Sequence, residues 1–185
     1  TQARAGTVIL TRPVQIANKT MDWSGFLKPV RGQITEMNMP GVLSRLRCNI
    51  AHGGYLCRTG QDRIIMGATF ERGVNSADIK FSDNYKNYYQ ARAALPDISF
   101  KPDFRDARAA VRLTTPDHLP LAGQVAKGLY ISSGWGSHGI LGTILGAHII
   151  CHNILDTPAP CGISVLNALD PKRFFPDTYP AIYEE

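Results

Sequence analysis

The stretch Gly128-Leu-Tyr-Ile-Ser-Ser-Gly-Trp-Gly-Ser-His-Gly-Ile-Leu-Gly142 decides how this chain is interpreted. It predicts a strand over residues 129–132, then a glycine turn, then a long apolar helix over Gly139–Leu155. A helix begins with unpaired N–H groups and a partial positive charge, so its start can bind an anion or an electron-rich ring edge. Glycine at 134, 136 and 139 lets a ligand approach the backbone. The alternative is a tight turn whose glycines serve packing alone.

The segment Gly134-Trp-Gly-Ser-His-Gly139 also matches the letters of the GxGxxG dinucleotide fingerprint. That fingerprint opens a βαβ unit whose second strand ends in an acidic residue about 20 positions further on. Here the proline-broken segment Asp156-Thr-Pro-Ala-Pro-Cys161 follows the helix, with no convincing second strand. We therefore expect the turn to meet the ring end of a cofactor that is held mainly by residues outside this chain.

Composition sets broad limits on the class of protein. The chain has 185 residues, 44% of them hydrophobic and 19% charged, which allows one or two small domains and favours large buried or interface surfaces. The net charge of +5 is compatible with an acidic or nucleic-acid partner. We expect no signal peptide, and the apolar residues 140–155 are too short and too polar in places to be expected to span a bilayer.

Cysteine spacing argues against both a disulfide scaffold and a zinc ribbon, because the four cysteines include no CxxC pair. We expect reduced thiols in a cytoplasmic protein. The run His148-Ile-Ile-Cys-His152 does bring three potential ligands within one helical turn, with Cys161 as a fourth. Because the run is apolar, we interpret it as core packing and predict no metal site.

The remainder of the chain predicts an antiparallel sheet with one helix. Residues 7–10 form a short strand, and a buried-looking strand so near the start indicates a piece of a longer protein. Residues 11–26 predict a loop or at most one helical turn. A helix over residues 85–95, capped by Ser82-Asp-Asn84 and stopped by Pro96, is expected to pack its tyrosines on the sheet. A proline-rich tail begins at Pro158. A further strand is predicted to begin at Lys28 and to alternate over residues 33–37 as a half-exposed strand does. The other predicted strands are residues 47–50, 55–58, 63–70 and 105–112, the last of them a strand or an extended segment.

Five short motifs, taken in order, resemble the C-terminal half of the D-amino-acid-oxidase-like FAD oxidoreductases, the family of glycine and sarcosine oxidases. Within that family the likeness is greatest to members that modify the wobble uridine of tRNA. Any one motif is weak, but five in register over residues 7–175 are specific. The motifs are Pro29-Val-Arg-Gly-Gln33, Ile65-Met-Gly-Ala-Thr69, Val111-Arg-Leu-Thr-Thr-Pro-Asp-His-Leu-Pro-Leu-Ala-Gly123, Gly136-Ser-His-Gly139 and Leu169-Asp-Pro-Lys-Arg-Phe174.

The resemblance implies an α+β arrangement within an α/β flavoprotein. An antiparallel substrate-domain sheet would accompany the terminal strand-helix pieces of a Rossmann-like FAD domain, whose ADP-binding GxGxxG we expect upstream of residue 1. Residues 1–27 would end the FAD domain, 28–110 form the substrate-binding sheet with its helix, 111–157 return to the FAD domain, and 158–185 form the tail.

The resemblance also implies a function, with FAD as the cofactor and tRNA as a partner. The tRNA-modifying members oxidatively remove the carboxymethyl group of 5-carboxymethylaminomethyl-uridine, leaving 5-aminomethyl-uridine, and a separate methyltransferase domain completes the modification. A small-molecule amine oxidase of the glycine-oxidase kind is the first alternative, and a fragment that only binds or folds, inactive alone, is the second. The basic residues expected to favour RNA are Arg45, Arg47, Arg58, Arg63, Arg72 and Lys86.

The same resemblance assigns roles around the glycine turn. Backbone amides from Gly136 to Ile140, with Gly134 and Gly139 keeping the approach open, would face the flavin N1–C2=O edge and stabilise negative charge there. Ser137 and His138 would add side-chain hydrogen bonds, that of His138 being dependent on pH.

Two residues are expected to bind the substrate. Arg112 suits a substrate carboxylate because its guanidinium can make two parallel hydrogen bonds. The alternative is a structural ion pair of Arg112 with Asp117 or Asp106. Tyr55 is a second candidate for the substrate wall, whereas Arg31 in the Val-Arg-Gly-Gln motif is expected to shape the junction of the two domains.

Overall fold

The computed structural model describes residues 6–11 and 26–174, and the backbone of residues 15–16 and 19–20. Contacts divide the chain into two units. Unit 1 takes the described residues up to Lys28 and those from Arg112 onward, and unit 2 is Pro29–Val111. Much of the predicted loop 11–26 lies outside the described residues, but it includes two paired two-residue strands, β2 (Gln15–Ile16) and β3 (Lys19–Thr20).

Unit 1 is built on a three-stranded sheet in the order β1-β11-β10. Strand β1 (Val8–Leu10) runs parallel to β11 (Leu129–Ser133), and β10 (Leu121–Ala126) runs antiparallel to it. These pairings confirm the strands predicted at 7–10 and 129–132. The inward side chains form one apolar cluster, which makes this sheet the core of the unit. Its buried members are Leu10, Phe26, Leu27, Leu121, Leu129 and Ile131.

Helix α2 (Gly139–Leu155) begins and ends at the predicted residues and contacts β10 and β11. Gly142 and Gly146, four residues apart, leave a groove on α2 that the indole ring of Trp135 fills. A β-carbon added at Gly142 or at Gly146 would lie 2.4 Å from a ring carbon of Trp135. The same ring donates from Nε1 to Oγ of Ser132 at 3.1 Å.

The interpretation of the His148–His152 run as core packing is also wrong in part. Ile149 and Ile150 are buried, but His148 and Cys151 lie on the exposed side of α2. His152 donates from Nδ1 to the carbonyl of Thr157, just beyond the end of the helix. All four cysteines are free thiols.

The other face of α2 is apolar and uncovered in the described part of the chain, with Ile140 90% exposed. Leu141 and Ile144 share this exposure. None of the described helices combines the length and the hydropathy needed to cross a membrane.

The predicted tail is in part a structured piece of unit 1. Helix α3 (Ile163–Leu169) is followed by a 3₁₀ turn over Pro171–Arg173. Leu169 is buried with residues of β10 and α2, and the ring of Phe174 stacks on that of Phe26 at 5.8 Å. Residues 158–174 therefore belong to the packing of this unit rather than to a loose extension.

Unit 2 is a six-stranded sheet whose main path runs β5-β6-β7-β4-β8, with β9 also paired to β4. The pairs along the main path are antiparallel, as expected. The strands on either side of residues 59–62 form a hairpin, since Arg58 pairs with Ile64. The strands are β4 (Lys28–Asn38), β5 (Ile50–Ala51), β6 (Tyr55–Arg58), β7 (Arg63–Gly67), β8 (Glu71–Arg72) and β9 (Phe104–Thr114).

Helix α1 (Phe81–Ala94) covers one face of this sheet and begins four residues before the predicted start. The predicted cap is wrong, because no side chain caps the helix and Asp83 and Asn84 are buried. Of the tyrosines expected to pack on the sheet, Tyr88 does so and donates to the carbonyl of Phe100 at 2.6 Å. Tyr89 is 63% exposed.

A buried polar network joins α1 to β4. Arg31 is fully buried and donates to Oδ2 of Asp83 at 2.5 Å, to Oε2 of Glu71 at 3.1 Å and to Oε1 of Gln33 at 2.7 Å. Gln33 in turn donates to Oδ1 of Asn84 at 2.9 Å. The predicted half-exposed alternation over residues 33–37 is confirmed, since buried and partly exposed positions alternate there. The inward positions of β4 that meet α1 include polar residues and the charge of Arg31. A buried charge is tolerated only when it is paired in this way.

The Trp135 groove makes a stability prediction. Gly142→Ala places a methyl group inside the indole ring, so we expect it to lower the free energy of unfolding by about 1–3 kcal/mol, more than the helix propensity gained. The matched control is Gly139→Ala in the same helix, whose added β-carbon would be 3.9 Å from the nearest atom. Thermal unfolding midpoints test this. Equal midpoints for the two variants would contradict the packing described.

A second prediction concerns acid stability. Burial alone would raise the pKa of Asp83, but hydrogen bonds from Lys86 and Arg31 outweigh it and lower the pKa below the ordinary 3.8. The pair with Arg31 therefore stabilises the fold above that pH, and this contribution is lost as the pH falls through the lowered pKa.

Asp83→Asn should thus cost about 3 kcal/mol at neutral pH, with the difference from wild type shrinking below about pH 4. The control is Asp97→Asn, an exposed carboxylate beyond the end of α1. A difference between wild type and Asp83→Asn that stays constant with pH would argue against the assignment.

Candidate functional site

The turn between β11 and α2, residues 134–139, is called the glycine corner below. Gly134 has φ +75° and Gly136 has φ +55°, both in the left-handed region that side chains disfavour. Gly134 is buried, and a β-carbon there would lie 3.1 Å from Cγ2 of Thr115 and 3.4 Å from Cδ2 of Leu27. The absence of a side chain at Gly134 is therefore explained by packing within unit 1.

The end of β9 forms one wall of the glycine corner. Thr114 forms an isolated β-bridge with Trp135, and the amide of Gly136 donates to the carbonyl of Leu113 at 3.1 Å. A β-carbon at Gly136 would lie 3.2 Å from Cγ2 of Thr114. Thr114 and Thr115 are part of a motif noted in the sequence, but no role was assigned to them. Their contacts with the glycine corner join residues about 20 positions apart, and such contacts leave no pattern in the local sequence.

The available donors at the start of α2 are fewer than expected. Of the amides from Gly136 to Ile140, that of Gly136 is used by Leu113 and that of His138 donates to the carbonyl of Trp135 at 3.0 Å. Within the described residues we find no backbone acceptor for the amides of Ser137, Gly139 and Ile140. Of the amides from Gly136 to Ile140 that were expected to face a ligand, only these three N–H groups remain available as donors.

The side chains around these amides leave them accessible. Ser137 and His138 are exposed, with 3.5 Å between Oγ and Nδ1, and neither caps the helix. The first turn of α2 contains no acidic residue that would repel a negative group. Three N–H donors at the positive end of a helix, beside two polar side chains, suit an anion or the electron-rich rim of a ring.

Comparison with known proteins agrees with this geometry. The family model "DAO: FAD dependent oxidoreductase" matches residues 2–152. The chain belongs to the DAO family of FAD-dependent oxidoreductases. FAD is accordingly its cofactor, and the glycine corner lies within the matched region.

Among curated relatives, the tRNA 5-methylaminomethyl-2-thiouridine biosynthesis bifunctional protein MnmC of Hahella chejuensis is 33% identical over an alignment of 158 residues, and the match covers 80% of this chain and 25% of that protein. The chain thus spans about a quarter of the length of such relatives.

Two solved structures share the fold: iminodiacetate oxidase from Chelativorans sp. BNC1 and glycine oxidase from Geobacillus kaustophilus. For the first, TM-score is 0.67 and identity 20%, covering 91% of this chain and 47% of that chain. For the second, the TM-score is 0.63 and the identity is 21%, and the match covers 76% of this chain and 39% of that chain.

The residues of the glycine corner fit part of an FAD site. Unused amides and the absence of acidic neighbours suit the N1–C2=O edge of a flavin, which gains negative charge on reduction. An adenine and ribose site would need other elements, since the described residues contain no second GxGxxG run between a strand and a helix. The chemistry of the corner is therefore compatible with the ring end of FAD.

Arg112 lies near the end of β9 in unit 1 and is half-buried. One of its alternative partners is occupied elsewhere, because Asp117 pairs with Arg173 at 2.8 Å. The other, Asp106, accepts a hydrogen bond from the amide of Ala107. Along β9, Arg112 lies two residues before Thr114, the residue that borders the glycine corner.

Tyr55 lies in unit 2, on β6 opposite Gly67 of β7. The next residue, Leu56, packs in the cluster beneath α1, so by strand alternation Tyr55 lies on the opposite face of the sheet. A β-carbon at Gly67 would approach the Tyr55 hydroxyl to 3.1 Å and Ile34 Cγ2 to 2.8 Å. Tyr55 is 38% exposed there.

The six basic residues proposed for RNA fall into two groups. Arg45, Arg47 and Arg72 are exposed. The others are engaged: Arg63 with Glu36 at 3.3 Å, Lys86 with Asp83 at 2.8 Å, and Arg58 with backbone carbonyls. Unit 2 as a whole contains twelve Lys and Arg against eight Asp and Glu, which gives it most of the positive charge of the chain.

The left-handed backbone of the glycine corner yields a prediction. Gly136→Ala costs about 1–2 kcal/mol for the backbone conformation, and its methyl group would press on Thr114. We expect less FAD to stay with the complete protein after desalting, measured by flavin absorbance. The control is Gly162→Ala, where the added atom meets nothing within 4 Å. FAD retention by Gly136→Ala equal to that of the control would argue against a role for the corner in binding FAD.

Proposed function

We propose that the complete protein oxidises the CH–NH bond of 5-carboxymethylaminomethyl-uridine at the wobble position of tRNA. The products are 5-aminomethyl-uridine and glyoxylate. The observation that carries this proposal is the match of 80% of the chain to relatives named for biosynthesis of a 5-methylaminomethyl-uridine, together with the donors of the glycine corner.

When bound, FAD would accept a hydride from the carbon next to the amine nitrogen, and water would then release the aldehyde acid from the resulting imine. The residues of the chain have other tasks. The amides of Ser137, Gly139 and Ile140 offer hydrogen bonds to the rim that gains negative charge, and His138 adds a side-chain contact.

We propose that Arg112 binds the carboxylate of the carboxymethyl group. Its guanidinium holds a carboxylate by two parallel hydrogen bonds, a geometry that an ammonium does not reproduce. Tyr55, on the face of the unit 2 sheet opposite α1, is proposed for the substrate wall. In this assignment the unit 2 sheet is the substrate-binding domain, and unit 1 supplies the end of the FAD domain.

Positive charge in unit 2 supports tRNA as the partner. Arg45, Arg47 and Arg72 are exposed cations with no carboxylate partner among the ion pairs of the described residues. Phosphate neutralisation by such residues is the sequence-independent part of RNA binding and weakens with salt.

A small amine oxidase is the second candidate. Sarcosine, glycine and the modified uridine share the N–CH₂–carboxylate group that Arg112 would bind, so the amine alone does not distinguish them. The deciding test uses the complete protein loaded with FAD and offers tRNA bearing 5-carboxymethylaminomethyl-uridine, glycine or sarcosine. Nucleoside mass spectrometry should show conversion of the tRNA. Turnover of glycine or sarcosine without conversion of tRNA would replace this proposal by the second candidate. If none of the three substrates were turned over, the protein would be a binding module rather than an oxidase.

For Arg112 we predict a loss of substrate affinity. Arg112→Lys should raise KM by about tenfold or more, because one charge-assisted hydrogen bond is lost. Arg108→Lys, an exposed position on the same strand, serves as the control. Unchanged KM for Arg112→Lys, with FAD content equal to wild type, would remove Arg112 from the substrate site.

A further inference from the structure

Arg173 joins the end of the described chain to the segment that precedes β10. Its guanidinium donates to Oδ2 of Asp117 at 2.8 Å, to the carbonyl of Leu119 at 2.5 Å and to that of Pro120 at 2.9 Å. It also donates to the carbonyl of Asp170 at 3.1 Å, which fixes it to its own turn. One side chain thus ties together parts of unit 1 that are more than 50 residues apart.

The same segment carries the wall of the glycine corner. The carbonyl of Leu119 accepts both from Arg173 and, at 2.6 Å, from the hydroxyl of Thr115. Thr115 is buried, and its methyl group faces the position where a β-carbon of Gly134 would be, at 3.1 Å. A single carbonyl therefore separates the guanidinium from the residue that packs on the corner.

The segment needs this support because it has few backbone hydrogen bonds of its own. Pro116 and Pro120 lack an N–H, and His118 has φ +61°. Asp117 accepts from the amide of Leu119 at 3.0 Å and from Arg173. Burial alone would raise the pKa of Asp117, but these hydrogen bonds lower it, which keeps the carboxylate ionised at neutral pH.

Aromatic contacts hold the guanidinium in place. It lies over the ring of Phe174 at 4.8 Å, and that ring stacks on Phe26. The side chain of Arg173 is 18% exposed, so solvent competes little for its donors. An arginine in such a stacked, forked position is not replaced by lysine without loss.

We propose that Arg173 is a positioning residue for the flavin-facing corner. It holds the segment over residues 115–120 against Gly134, and thereby sets the backbone from which the amides of Ser137, Gly139 and Ile140 project. This inference rests on the proposed placement of the flavin rim at those amides. Arg173 itself need not touch FAD.

The test compares two variants of the complete protein with wild type and one control. Arg173→Gln removes the charge and the fork, and Arg173→Lys keeps the charge for Asp117 but has no planar fork for the two carbonyls. Lys172→Gln is the matched control, since Lys172 is exposed and adjacent. Hydrogen exchange is measured without FAD on peptides covering residues 113–120 and 134–141, and FAD affinity is measured by titration.

We expect Arg173→Gln to speed exchange in both peptides and to weaken FAD binding by about tenfold or more, the ratio that lost charged hydrogen bonds imply. Arg173→Lys should fall between wild type and Arg173→Gln in both measurements. Exchange that rises only near residues 170–174, or equally in all peptides of unit 1, would overturn the proposal and leave Arg173 a general stabiliser. If Arg173→Gln does not fold, the Arg173→Lys comparison decides in the same way.

These outcomes are separable from those for the proposed function. A wild-type protein that binds FAD but does not convert tRNA refutes the tRNA reaction, while the exchange and affinity results still test Arg173. Conversely, normal tRNA conversion by wild type together with unchanged exchange at residues 134–141 in Arg173→Gln refutes only the positioning role.

Discussion

The indole ring of Trp135 fixes the start of helix α2, and the candidate site depends on that placement. The ring occupies the groove left by Gly142 and Gly146, while Nε1 is held by Ser132. The chain must therefore leave β11 and enter the helix within a few residues, which only left-handed backbone at Gly134 and Gly136 permits. A helix anchored in this way presents its first amides at a defined position without any side-chain cap.

The polar groups of the two units serve different purposes. In unit 2, all the N–H groups of the Arg31 guanidinium donate inside the fold, to Asp83, Glu71, Gln33 and a backbone carbonyl. The motif around Arg31 therefore holds α1 on the sheet. In unit 1 the amides at the start of α2 keep their donors unused within the described residues. Accessible donors at the start of a helix can bind a negative group, which is why they suit a binding site.

Local features of the sequence predicted the strand, turn and helix around the glycine corner, because glycine, periodicity and β-branched residues act over short distances. What sequence analysis missed was contact between distant residues. It did not identify Trp135, seven residues before Gly142, as the side chain that packs against Gly142 and Gly146. It expected a cap where Asp83 meets Arg31, 52 residues away. The residues of the resemblance, by contrast, led directly to the family and to FAD.

The proposed function depends on one contact, in which the amides after Trp135 would meet the N1–C2=O edge of the flavin. The most direct measurement is a crystal structure of the complete protein with FAD bound. We predict flavin acceptors within about 3 Å of the amide nitrogens of residues 137–140, the usual hydrogen-bond distance. A flavin ring bound elsewhere, with another part of the protein seated on those amides, would contradict the account.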